Sequence, residues 1–484
     1  LAQARENLEL ADALQVRARK LTARARGGQT SRLPADREPV LRSGALSQNR
    51  KLLLLALAGL LVRGVFLLAE PEVRLVADEL TWTNWALEKL LEPNVGFSPF
   101  RTKMIFWPPL YPYFIAVGYA LFGSLLAVKW AQVVVSAMLI PAVGRVAAAV
   151  FGERAGVTAA ALVAFYPDLV WYSVHFWCET LFLTLLWWGF ERMLAADARG
   201  RTGAALAAGL LWGVAALARE TCLYLAPLAA LWLAWRPRAP GGARRGAAFL
   251  LAVALTIAPW TYRNWVMLQA FVPIATSGGL ALYQGNSGLT RQEVYDRYEA
   301  VEGGRIGQYR WARRMGVRAI LDRQPFWVFE KLRDEMPRFW EADSLALIHL
   351  FDKRAYGDVS KAAGWAARLV IVLPYLALLG CFVWGVARLR LERTSALLLG
   401  FLVLYNLLHV ATHAFARYRQ PIMPVLFVVA AYGIECSRSG GGAPLSRPRR
   451  LLLAALLLGF GLVLAPSLRE PFRLPQDPPA SEAR

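Results

Sequence analysis

The chain has 484 residues, 57% of them hydrophobic, and a formal net charge of +21. Its apolar residues gather in runs of about 17 to 25, the length that crosses a hydrocarbon core of roughly 30 Å, which excludes an ordinary soluble enzyme of two or three domains. The arginines lie mostly in short segments between those runs, not on one basic face with interleaved aromatics, which excludes a nucleic-acid partner; the scattered Cys178, Cys222, Cys381 and Cys436 offer neither a CxxC metal motif nor a disulfide framework.

Residues 1–51 are polar and basic with no apolar h-region, so no cleavable signal peptide is expected. They read as a cytoplasmic arm, with a polar helix over 1–25 and a flexible linker over 32–48. Membrane spans are expected near 52–69, 125–144, 155–174, 178–196, 203–218, 221–235, 246–265, 363–387, 395–412, 419–436 and 450–466. The fold class is therefore an all-α polytopic membrane protein of about eleven transmembrane helices, with juxtamembrane helices and a mostly helical periplasmic domain.

Orientation follows from the short loops. Arg192, Arg199 and Arg201, then Arg236, Arg238, Arg244 and Arg245, then Arg388, Arg390 and Arg393, and finally Arg438, Arg447, Arg449 and Arg450 all fall on the side of the N-terminal arm, which the positive-inside rule makes cytoplasmic. That agreement holds only if the apolar stretch 108–123, with Pro108, Pro109 and Pro112 at its start, is an interfacial or re-entrant helix and not a span. The domains are then the arm 1–51, a membrane module 52–268 with a first outer loop 70–124, a periplasmic domain 269–362, membrane helices 363–467 and an outer tail 468–484. The setting is the plasma (inner) membrane. Helical patterns at 309–321 and 327–340 place folded structure in the periplasmic domain.

In chain order, the first chemistry is Asp78-Glu79, two carboxylates opening an amphipathic helix just outside the first span. They are either an N-terminal cap pair favoured by the helix dipole or a carboxylate base at the mouth of a membrane cavity. Asp168, His175 and Glu179 lie in or beside spans, where an acid is costly and usually faces a cavity. Arg219-Glu220 reads as a surface ion pair. Arg263 is either a snorkelling anchor or an anion ligand. Arg417 and Arg419 occupy a short outer loop where the positive-inside rule makes arginine unexpected. His409 and His413 share a helix face, but no third metal ligand accompanies them.

The order of short motifs resembles the GT-C superfamily of membrane glycosyltransferases, in particular the protein O-mannosyltransferases and the lipid A aminoarabinose transferase. The motifs are Asp78-Glu79 after the first span, Pro108-Pro-Leu-Tyr-Pro112, Phe165-Tyr-Pro167 followed by Glu179, Pro259-Trp260-Thr-Tyr-Arg263-Asn264, Ala275-Thr276-Ser-Gly-Gly279 with Tyr283 to Asn286, and Arg417-Tyr418-Arg419-Gln-Pro421. The resemblance runs over about 52–437. It implies a polyprenyl-phosphate-linked sugar as donor, a single inverting displacement on the outer face, and Asp78 as base with Glu79 beside it. Arg263, Arg417, Tyr418 and Arg419 then bind the donor phosphate. Trp107, Tyr111, Glu179, Thr276 and Asn286 line the cavity.

No cofactor is required by this chemistry, and a divalent cation stays open. The partners are the lipid-linked sugar and membrane lipid, with the acceptor open among protein, lipid and glycan. The sequence departs from the aminoarabinose transferase at Phe106-Trp107-Pro108-Pro109, where an acid and a lysine are missing unless Glu92, Arg101 or Lys103 substitutes. Two other classes stay open: a transporter or flippase of lipid-linked sugars, and a non-catalytic envelope-assembly protein.

Overall fold

The computed structural model describes residues 37–70, 75–89, 105–235, 240–342, 344–351, 355–439 and 445–469, and among these every regular element is helical. Expectations for residues 1–36, for Glu92, Arg101 and Lys103, and for the outer tail beyond 469 lie outside the described residues. Part of the expected linker does not: 37–48 belongs to helix α1 (Arg37–Ala69), because Pro39 sits in its first turn, where a missing N–H costs nothing.

The chain continues through α2 (Asp78–Asn84), α3 (Leu110–Phe122), α4 (Leu125–Phe151), α5 (Glu153–Phe165), α6 (Pro167–Val174), α7 (Glu179–Arg199), α8 (Thr202–Ala218), α9 (Thr221–Ala234) and α10 (Gly242–Leu268). Helices α11 (Ser277–Asn286), α12 (Arg291–Glu299), α13 (Gly304–Leu321), α14 (Trp327–Trp340) and α15 (Leu345–Phe351) follow. The chain closes with α16 (Lys361–Arg388), α17 (Arg393–Ala411), α18 (Met423–Arg438) and α19 (Arg447–Arg469).

Among the described residues, seven helices are long and apolar enough to cross a membrane: Ser47–Ala69 within α1, α4, α10, α16, α17, Ala416–Arg438 around α18, and Arg447–Pro466 within α19. The expected span 155–174 is a bent pair, α5 and α6, meeting at 54°. Tyr166 is extended because it precedes Pro167, and Pro167 has no N–H to continue the ladder. The expected spans at 178–196, 203–218 and 221–235 are the helices α7, α8 and α9. Of these, α8 and α9 are apolar but only 17 and 14 residues long, and α7 carries Glu179, Glu191 and Arg192. The stretch 108–123 forms α3, whose 13 residues reach about 20 Å, too short to span.

The break between α5 and α6 frees backbone carbonyls inside the bundle, and Arg63 of α1 takes them. Its guanidinium donates to Val163 O at 3.1 Å and Ala164 O at 2.8 Å, and also to Ser136 Oγ at 2.9 Å and to Gly59 O at 3.0 Å. This explains a fully buried arginine with no carboxylate among those partners: it caps a helix C-terminus where no water reaches. Elsewhere the helices close on small residues. A methyl group at Gly156 would lie 2.7 Å from the Gly144 carbonyl, and one at Gly433 would lie 2.9 Å from the Gly385 backbone, so α4 meets α5 and α16 meets α18 nearly backbone to backbone.

The helix ends sort into two sets. At one, Arg393 of α17 binds the carbonyls of Trp232 and Trp235 and the Asp197 carboxylate, gathering three arginine-bearing connections. At the other lie the C-terminal ends of α1, α6 and α8, the N-terminal ends of α7, α9 and α18, and helix α2.

Candidate functional site

Helix α2 begins where Ala77 takes φ 52°, a left-handed value rare outside glycine. Its first turn carries Asp78 and Glu79, and consecutive helical residues point about 100° apart. Glu79 accordingly faces inward, 1% exposed, while the Asp78 side chain keeps 20% of its surface. Trp82, one turn later, fixes the helix by edge-on contacts with Trp107, Tyr111 and Trp177 at 6.3, 5.1 and 5.5 Å. Tyr111 is itself pinned by its hydroxyl donating to Gln132 at 2.6 Å.

On the open side, the Arg417 guanidinium donates to Asp78 Oδ2 at 2.7 Å. These residues are 339 positions apart. Arg417 lies over the rings of Trp177 and Tyr418, at 4.9 and 5.1 Å. A second guanidinium, Arg219 at the end of α8, reaches Glu179 at 2.6 Å and lies 5.0 Å from the same Tyr418 ring. Tyr418 therefore touches two arginines, and His409 stacks on it at 4.8 Å, with His413 and Phe415 edge-on at 6.3 and 6.4 Å. Two arginines and two acids meet in this patch, each arginine paired with one acid.

On the closed side, Glu79 is gripped from three directions. Its Oε1 accepts the Phe176 N–H at 2.9 Å and lies 3.2 Å from His175 Nδ1, and its Oε2 lies 3.2 Å from His349 Nε2. His175 Nε2 faces the Tyr356 hydroxyl at 2.6 Å and Glu70 at 3.0 Å, and Lys129 lies 3.4 Å from Glu70. Burial opposes ionisation of Glu79, but the bonds from His175 and His349 outweigh it and hold the carboxyl down at about 2. Burial likewise opposes charge on His175, and Glu70 and Glu79 reverse that and raise its pKa.

The remaining residues named from the sequence occupy other surroundings. Arg263 donates to Asn264 Oδ1 at 2.9 Å and stacks on Trp260 at 4.6 Å. Arg419 binds the Glu341 carbonyl and lies over Tyr375. Thr276 donates to the Ile105 carbonyl at 3.1 Å. Asn286 joins the Ala411 carbonyl at 3.0 Å and the Trp327 indole at 2.8 Å. His409 stacks on Tyr418, whereas His413 faces Glu335 at 3.8 Å; no group of three His, Cys, Asp or Glu among the described residues is placed to hold a metal ion.

Arg219 is not the surface partner of Glu220 that adjacency suggests, since it pairs with Glu179. Glu220 instead takes the Gly278 backbone N–H, and burial pushes its carboxyl up to about 7. The sequence signal for Arg219 was the one already used for Arg417, an arginine on the side where arginine is disfavoured. No spacing pointed to Glu70 or His349, which reach Glu79 and His175 only through the tertiary fold.

Residues 107–262 match the family model described as dolichyl-phosphate-mannose-protein mannosyltransferase. Among solved structures, the apo oligosaccharyltransferase of Archaeoglobus fulgidus shares the fold with a TM-score of 0.50 at 15% identity, over 87% of this chain and 55% of that one. The archaeal oligosaccharyltransferase AglB from Archaeoglobus fulgidus, solved with an inhibitory peptide and a dolichol-phosphate, aligns at 0.49 and 16% over 87% and 56%. ArnT from Cupriavidus metallidurans aligns at 0.38 and 18% over 86% and 77%. The chain thus spans little more than half the length of the oligosaccharyltransferases it matches. A search of curated proteins finds no match.

Proposed function

From the premise that this chain is a multi-pass protein of GT-C fold carrying a mannosyltransferase-family segment, we propose that it is an inverting glycosyltransferase. It moves a sugar from a polyprenyl-phosphate donor to an acceptor at the non-cytoplasmic membrane surface. The observation that carries this reading is the contact of Asp78 with Arg417 at 2.7 Å, with Glu179 and Arg219 alongside. A transferase of this kind needs a base and a cation for the leaving phosphate within one sugar's width of each other, where helix ends meet the lipid surface.

In the step proposed, an acceptor hydroxyl gives its proton to Asp78 as its oxygen bonds to the anomeric carbon. The bond from that carbon to the phosphate oxygen breaks on the opposite face, and its electron pair leaves with the phosphate. Arg417 and Arg219 hold that phosphate, because a guanidinium presents several N–H groups to its oxygens and keeps its charge when desolvated. The lipid tail stays among the helices, which is why the centre belongs at a bundle end.

The test is transfer from a polyprenyl-phosphate-linked radiolabelled hexose or pentose in membranes containing the protein. Asp78→Asn is expected to lower transfer by about 10²–10⁴-fold while binding of polyprenyl phosphate is retained. Arg417→Ala is expected to weaken that binding about 10–100-fold, the scale of losing a charge-assisted hydrogen bond. Undiminished transfer by Asp78→Asn moves the base elsewhere and sinks the reading.

A further inference from the structure

Helix α14 divides into three faces. Lys331 and Glu335, one turn apart, are buried against the protein: the Lys331 ammonium donates to the Gly285 carbonyl, and Glu335 Oε2 accepts the Ala414 N–H at 2.7 Å. Glu330, Arg333 and Asp334 make a charged face, on which Arg333 pairs with Asp334 at 2.7 Å. Val328, Phe329, Leu332, Met336, Phe339 and Trp340 make an apolar stripe at helical spacing. The stripe is covered at one end only. Phe339 and Trp340 are buried, whereas Val328, Phe329 and Leu332 are exposed, Phe329 to 71%.

The neighbours of α14 say what meets the open half. Its start stands at the end of α17, since the Trp327 indole donates to Asn286 Oδ1 at 2.8 Å and Asn286 donates to the Ala411 carbonyl at 3.0 Å. Its own end goes deeper. The Phe339 ring lies 6.2 Å from that of His409 in α17, and the Trp340 carbonyl accepts from the Tyr375 hydroxyl at 2.9 Å, near the middle of α16. The Trp340 ring meets Phe460 at 5.1 Å, more than two turns inside α19. All three partners belong to helices of membrane length. Of those, α19 is the least covered by protein, with Leu457, Leu458 and Leu462 exposed around Phe460. The stripe that packs on spans at one end of α14 therefore continues, at the other, a surface turned to lipid.

We propose that α14 lies obliquely in the membrane surface at the Asp78 end of the bundle. Val328, Phe329 and Leu332 are immersed in the acyl chains of the lipid, and Arg333 and Asp334 stand at the headgroups. The stretch 269–362 thus dips into the membrane at this helix. The chain on both sides of Arg417 is tied to it: Ala414 to Glu335, and the Arg419 guanidinium to the carbonyl of Glu341, the residue after α14. The depth of α14 then sets the depth of Arg417. A consequence for phosphate binding rests on the function proposed above, while the lipid contact does not.

The test uses the full chain in vesicles of phosphatidylethanolamine and phosphatidylglycerol with radiolabelled acyl chains. p-Benzoyl-phenylalanine replaces Phe329, where it keeps an exposed ring, and Leu332 in a second variant. On irradiation its ketone takes a hydrogen from a neighbouring C–H, and the two carbons join. Labelled lipid is expected to become bound to the protein from both positions, and not when the same residue replaces Asp334. Crosslinks between two copies of the chain in place of lipid, no lipid at either position, or equal lipid at 334, each overturn the immersion.

Binding of polyprenyl phosphate gives the second arm. Phe329→Glu, which sets a charge against the acyl chains, is expected to weaken it about tenfold, and Phe329→Leu to leave it unchanged. Wild-type binding by Phe329→Glu cuts the link from α14 to Arg417. Lipid bound at 329 and 332 in a protein that takes no polyprenyl phosphate upholds the immersion and counts only against the glycosyltransferase reading.

Discussion

Ala77, Asp78 and Glu79 divide three tasks among consecutive residues. Ala77 bears the strain, Asp78 faces the open side and Glu79 anchors. An alanine with positive φ costs of order 1 kcal/mol that glycine does not incur. Ala77→Gly is therefore expected to raise the unfolding midpoint slightly, and Ala77→Val to lower it, in a thermal melt of the detergent-solubilised protein. Glu220 gives a pH-dependent counterpart. Burial raises its carboxyl to about 7, above its unfolded value near 4.5, so the folded state holds this proton more tightly than the unfolded chain. Stability from this group is fully present below about pH 4.5 and is lost as pH rises through about 7. Glu220→Gln is expected to raise the midpoint at about pH 8.5 and to leave it unchanged at about pH 4.5. At this scale the sequence was partly legible. Arg417 stood out because an arginine on the outer side of the membrane needs a reason, and Asp78 because it opens a helix beside a second carboxylate just outside the first span. The pairing of Arg219 with Glu179, and of Glu79 with His349, had no such mark, since partners 40 and 270 positions apart leave no periodicity to read.

Helix positions were legible because apolar length is a direct consequence of bilayer thickness, and each expected span corresponds to a helix or to the bent pair. The bend itself was not foreseen, although Tyr166-Pro167 stood in the middle of the expected span; its sign was Arg63, whose place in α1 makes sense only once the carbonyls of Val163 and Ala164 are left without ladder partners. The element-scale prediction follows from that. Arg63→Met removes the donors to those two carbonyls and to Ser136 in a fully buried site. It is expected to destabilise the protein by about 3 kcal/mol and to lower transfer as well, because α6 leads directly into His175. A melt and a transfer assay on the same preparation check both. A variant that melts like wild type would show that the break keeps its angle without the cap.

For the whole molecule, the orientation rests on where arginines collect. Cysteines placed at Gly200, between α7 and α8, and at Gly303, between α12 and α13, are predicted to label oppositely with a membrane-impermeant maleimide in intact cells, Gly303→Cys reacting and Gly200→Cys not. Reversed labelling would put Asp78 on the cytoplasmic side and remove the proposed site from the outer surface. Burial also grades the closing helices: 72% of the Ala416–Arg438 window is buried in the protein, against 6% for Arg447–Pro466. The penultimate span is thus a core element and the final one is peripheral.

The Asp78–Arg417 contact also dictates when the protein becomes competent. In chain order Asp78 follows one of the seven membrane-length helices among the described residues, and its guanidinium follows five of them. Until Arg417 is made, the carboxylate lacks the partner that holds it in the folded protein. Under the function proposed above, a chain cut before Arg417 is expected to enter the membrane without consuming lipid-linked sugar, so that quality control on the late helices becomes quality control on the chemistry itself.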